Sequence, residues 1–82
     1  MIKVKFFGLL RLDLQLKEIE VQASTVKELL AAVAEKTGKF TARELKGYLI
    51  YVNGTLSTKL KGYRTKLSDG DEIIMMNPSS GG

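Results

Sequence analysis

Glu72-Ile73-Ile74-Met75-Met76 is the stretch that decides the fold, four apolar residues in succession closed by Asn77-Pro78. A strand with one wet face alternates polar and apolar residues, so an unbroken apolar run belongs inside a sheet, between two other strands. Pro78 has no amide hydrogen to donate and ends the strand. The turn Ser68-Asp69-Gly70-Asp71 introduces it.

Working outward, the opening segment alternates cleanly. Ile2, Val4 and Phe6 share one parity while Lys3, Lys5 and Phe7 share the other, the pattern of a strand with one buried face. Leu14, Leu16, Ile19 and Val21 continue an alternation against Glu18 and Glu20, with a change of phase at Lys17 that predicts a bulge or bend. The two segments are expected to form a hairpin around Leu9 to Asp13. Thr25-Val26-Lys27-Glu28 is a capping box: the Thr hydroxyl can accept from the Glu28 amide while the Glu28 carboxylate reaches back to the cap amide. Val26, Leu29, Leu30 and Val33 follow at helical spacing, and Gly38 marks the stop, predicting about three turns with one apolar face.

Thr41-Ala42-Arg43-Glu44 repeats the box, but Gly47 leaves room for a single helical turn. Leu49-Ile50-Tyr51-Val52 is rich in β-formers and runs into Asn53-Gly54, a strong hairpin signal, so a short strand starts at Thr55. Ser57 to Thr65 reads as an irregular excursion. The order is strand, strand, helix, strand, short strand, strand. If the last strand lies beside and parallel to the first, the helix sits in the crossover between them. The expectation is an α+β β-grasp (ubiquitin-like) fold, a mixed sheet of four to five strands with one main helix packed across it. It should occupy residues 1–76 as a single domain, with a flexible tail over 77–82.

Composition narrows the chemistry. The 82 residues include no cysteine and no histidine, which removes thiolate catalysis, disulfides and the commonest general base and metal ligand. Asp69, Asp71 and Glu72 form the nearest approach to a carboxylate cluster, and a turn explains them better than a metal site. The net charge of +4 is dispersed from Lys3 to Lys66. Lys59, Lys61, Arg64 and Lys66 read as a solvated loop, so no nucleic acid is expected as partner. The N-terminus alternates instead of starting a long apolar run, which argues against a signal peptide, a membrane span or any location but the cytoplasm.

The sequence ends Ser79-Ser80-Gly81-Gly82. Two residues without Cβ atoms can thread a slot too narrow for side chains, and an α-carboxylate is an anionic oxygen nucleophile at neutral pH.

Taken in order, Val4-Lys5-Phe6-Phe7-Gly8 with Arg11, Thr25-Val26 with Leu29-Leu30, Val52-Asn53-Gly54-Thr55-Leu56, Leu67-Ser68-Asp69-Gly70-Asp71-Glu72 and Gly81-Gly82 resemble the ubiquitin-like sulfur carriers of the MoaD/ThiS family. Within it the resemblance is greatest to MoaD, the small subunit of molybdopterin synthase. The resemblance implies that a ubiquitin-activating-like, MoeB-like adenylyltransferase uses ATP and magnesium to adenylate the Gly82 carboxylate. A sulfur donor enzyme then makes it a thiocarboxylate, and a MoaE-like large subunit receives the tail Pro78, Ser79, Ser80, Gly81 in its active site. No cofactor would be bound by the chain itself, which would act as a non-catalytic small subunit. Arg11 and Leu56 match family positions that contact these partners. Parity adds Phe7, Ile74 and Met76, which adjacent strands would expose together on the sheet face opposite the helix. Where the family often has two prolines followed by apolar residues, this chain has Asn77-Pro78-Ser79-Ser80, a more polar tail. The same body and Gly-Gly end also serve carriers for thiamin, tRNA thiolation and amino-acid sulfur metabolism, and protein modifiers that form isopeptide bonds to lysines.

Overall fold

The computed structural model describes residues Met1–Pro78; the Ser79, Ser80, Gly81 and Gly82 of the tail assignment lie outside the described residues. Five strands, β1 (Ile2–Phe6), β2 (Glu18–Val21), β3 (Leu49–Val52), β4 (Thr55–Leu56) and β5 (Glu72–Met76), form one sheet in the order β2-β1-β5-β3-β4. β1 and β5 run parallel; the other pairs are antiparallel. This is the β-grasp arrangement, and β5 is central as its apolar run requires.

Register explains which side chains are buried. Val4 lies opposite Ile73 and Phe6 opposite Met75, and all four are fully buried on the helix side. The alternate residues Lys5, Ile74 and Met76 face the other way and are only half-buried. Over the buried side lies α2 (Val26–Thr37), whose Val26, Leu29, Leu30 and Val33 are all at most 1% exposed. Each such side chain contributes about 1.5–3 kcal/mol from apolar burial. Thr25 caps this helix, its hydroxyl accepting from Glu28 N at 3.2 Å. The Glu28 carboxylate reaches one residue further back than expected, accepting from Ser24 N at 2.9 Å. Thr41 forms the second box in full, holding α3 (Ala42–Leu45) to a single turn that buries Leu45. Asn53 and Gly54 both take positive φ, 51° and 89°, in the tight turn between β3 and β4. Two short 3₁₀ turns, Ser57–Lys59 and Gly62–Arg64, fill the excursion before β5.

The segment expected as a hairpin loop is instead a helix, α1 (Gly8–Leu14). Leu10 and Leu14, four apart on one helix face, are buried in the core. Leu14 and Leu16 therefore belong to no strand, and the change of phase at Lys17 is a bend, as one of the two expectations had it, and not a bulge. It follows the exit from α1, where Gln15 takes a left-handed φ of 57°. Lys17 then accepts from Phe6 N at 2.9 Å, after which β2 pairs antiparallel with β1 as expected. Among the described residues no helix is long and apolar enough to cross a membrane.

Candidate functional site: the open sheet face and the root of the tail

On the face of the sheet opposite α2, one row crosses all five strands in register: Glu18, Lys5, Ile74, Tyr51 and Leu56. Directly opposed side chains share a face, so the β2 end of the row is charged and the β4 end apolar. Phe7, Tyr51, Gly54, Ile74 and Met76 line a shallow apolar depression there. Phe7 is 38% exposed; Tyr51, Ile74 and Met76 are half-buried. The Lys5 ammonium lies 3.2 Å from a Glu72 carboxylate oxygen at the charged border. An ion pair this exposed is worth at most about 1 kcal/mol, so the border acts mainly as a polar rim.

The structure thus gathers Phe7, Ile74 and Met76 into one depression. Leu56 joins them through the row, although it also lines a second, narrower depression with Tyr48, Leu49 and Tyr63. Arg11 is not part of this surface. It is exposed on α1 and lines a separate depression with Leu12, Gln15, Leu16 and Lys17. Tyr51, which the sequence reading placed in a strand but not at the site, sits between Ile74 and Leu56. Its parity within Leu49-Ile50-Tyr51-Val52 would have placed it here once β3 was paired with β5.

β5 delivers the chain to the edge of this face. Pro78 is exposed, and Asn77 before it is half-buried. The Asn77 side-chain oxygen accepts from the Leu10 amide of α1 at 2.7 Å, so the residue from which the tail was expected to begin is tied to the body. The Asp-rich turn before β5 is likewise engaged. Asp71 accepts from Ser68 N at 2.7 Å and from Asn53 Nδ2 at 3.1 Å, while Asp69 pairs with the N-terminal ammonium. Among the described residues no group of three or more Asp or Glu is placed to hold a metal ion.

The described residues therefore place an apolar depression with a charged border beside the root of the tail. A model of the ThiS family matches residues 4–82, nearly the whole chain. The chain belongs to the ThiS family. It is a small ubiquitin-like sulfur carrier or modifier of the ThiS/MoaD kind, and its fold is shared with solved structures across its full length. Small archaeal modifier protein 1 from Methanosarcina acetivorans is 27% identical with a TM-score of 0.81, over 99% of this chain and 95% of that one. A chain in the complex of subunits 1 and 2 of the molybdopterin-converting factor from Helicobacter pylori is 28% identical with a TM-score of 0.65, over 99% and 97%. A chain of the BexX/CysO complex from Amycolatopsis orientalis, 21% identical over 100% of both chains with a TM-score of 0.78, shares the fold. No curated protein matches the chain.

Proposed function

We propose that this ThiS-family chain is the sulfur carrier of molybdopterin biosynthesis, with the Gly82 carboxylate as its reactive group. The observation that carries the reading is the end-to-end similarity to the Helicobacter converting-factor chain, whose structure is a complex of two different subunits. The open face of Phe7, Tyr51, Ile74 and Met76 is of the kind such a subunit covers, an apolar patch with a charged border.

In this reading a MoeB-like enzyme holding ATP and magnesium lets the Gly82 carboxylate oxygen attack the α-phosphorus, releasing pyrophosphate. Adenylation matters because carboxylate oxygen is a poor leaving group and AMP a good one. Sulfide-level sulfur from a donor enzyme then displaces AMP at the acyl carbon, leaving a thiocarboxylate. A MoaE-like large subunit receives Pro78, Ser79, Ser80, Gly81 and Gly82 and passes the sulfur to the pterin precursor. Catalytic side chains belong to the partners, which suits a chain with neither cysteine nor histidine.

A second reading, isopeptide modification of lysines, is favoured by the 27% identity to the archaeal modifier protein at a TM-score of 0.81. One experiment separates the two. The thiocarboxylated chain is incubated with a MoaE-like subunit and the pterin precursor, and proteins of the native cell are searched for Gly-Gly remnants on lysines. The carrier reading expects dithiolene product, abolished by deletion of Gly81 and Gly82. Remnants without product would replace it by the modifier reading.

A further inference from the structure

Asn77 caps a helix that cannot cap itself. The first N–H groups of any helix lack intrahelical acceptors, and an Asn, Asp, Ser or Thr at the N-cap normally supplies one. The N-cap of α1 is Phe7, which makes no side-chain cap bond, and the first turn holds no acidic residue. The stretch of chain from Met75 to Asn77 supplies acceptors for two of these N–H groups. Phe7 N donates to Met75 O at 3.0 Å, and Leu10 N donates to the Asn77 side-chain oxygen at 2.7 Å across 67 residues of sequence. Gly8 makes room for this: it takes φ +69°, and a Cβ there would stand 3.3 Å from the Asn77 oxygen.

Two constraints therefore meet where the chain leaves the sheet. Asn77 is held to α1 by its side chain, while Pro78 has a locked φ and confines Asn77 to extended conformations. Beside them lies the depression formed by Phe7, Ile74 and Met76. We propose that Asn77 is a positioning residue for the tail, fixing where and in which direction the chain leaves the sheet so that carboxylate and docking face reach a partner together. This rests on the carrier reading above. Gly82 stands four residues beyond Pro78, a reach of roughly 13 Å at about 3.3 Å per residue. With so short a reach, the exit direction decides whether Gly82 enters a site while the open face is docked.

Releasing Asn77 returns about one residue of backbone freedom to the tail, which must be ordered again on binding. That corresponds to a KM about five- to thirtyfold higher for activation, with kcat unchanged, because the loss falls on binding and not on the chemical step. The test uses magnesium ATP and the adenylating enzyme of the chain's native cell, with pyrophosphate release as the readout. Amide hydrogen exchange at Leu10 is followed on the same proteins. Asn77→Ala should raise KM in this range and speed exchange at Leu10. Asn77→Asp keeps the acceptor oxygen and should restore both to about wild-type values, since Asn and Asp cap equally well. An unchanged KM in Asn77→Ala, or unchanged Leu10 exchange, overturns the proposal while leaving the carrier reading in place. Absence of pyrophosphate release with the wild-type chain would refute the carrier reading, and this role for Asn77 with it.

Discussion

Replacing Gly8 with alanine attacks the join between α1 and β5 at its tightest point. Gly8 sits at φ +69°, and a Cβ there lies 3.3 Å from the Asn77 side-chain oxygen. A left-handed conformation costs a residue with a Cβ about 1–2 kcal/mol. The contact also makes the Asn77 oxygen give by a few tenths of an ångström, straining its bond from the Leu10 amide, a part-buried donor whose full loss would cost about 1–3 kcal/mol. Water can reach part of this site, so the lower half of that second range applies and the sum is about 2–4 kcal/mol. For a domain of this size each kcal/mol lowers Tm by about 4–8 °C, so the variant should melt at least about 8 °C below wild type. Urea unfolding of wild type, Gly8→Ala, Asn77→Ala and the double variant gives the free energies. Asn77→Ala removes the hydrogen bond that Gly8→Ala strains, so the double variant should lose up to about 1 kcal/mol less than the sum of the two. A Gly8→Ala protein within about 0.5 kcal/mol of wild type, or strict additivity in the cycle, would refute the shared contact.

Three other changes probe separate parts of the account. Leu10→Ala empties a fully buried position of α1 and should cost about 2–5 kcal/mol by urea titration, whereas a loop residue would cost far less. Ile74→Asp places a charge in the apolar half of the open face, opposite Lys5; stability should fall by no more than about 1 kcal/mol, while affinity for a MoaE-like subunit by calorimetry drops more than about tenfold. Extending the chain past Gly82 with a residue that cannot be removed should abolish adenylation, read as pyrophosphate release, with Tm unchanged.

Much of this fold was legible because each principal element carries one unambiguous period. Ile2, Val4 and Phe6 alternate, Val26, Leu29, Leu30 and Val33 recur at helical spacing behind a cap, and Ile73 to Met76 are apolar throughout, which together specify the sheet, the helix and the central strand. α1 was illegible for two physical reasons. Leu10, Leu12, Leu14 and Leu16 alternate like a strand, while the burial that matters, Leu10 with Leu14, has helical spacing. Its cap gives no local signal either, since the acceptor is Asn77. The gathering of Phe7, Ile74 and Met76 followed from parity, because β1 and β5 are neighbours whose registers expose these residues together. Tyr51 required the β3–β5 register, and Arg11 turned out to stand on a helix with its own surroundings.

The central claim is that Gly82 is where sulfur is loaded. The most direct measurement is intact-mass and C-terminal-peptide mass spectrometry of the chain after reaction with its adenylating enzyme, magnesium ATP and a sulfur donor. The account predicts one oxygen exchanged for sulfur, confined to the peptide ending in Gly82. A terminal peptide of unchanged mass while the adenylating enzyme turns over, or sulfur recovered on any other residue, would contradict it.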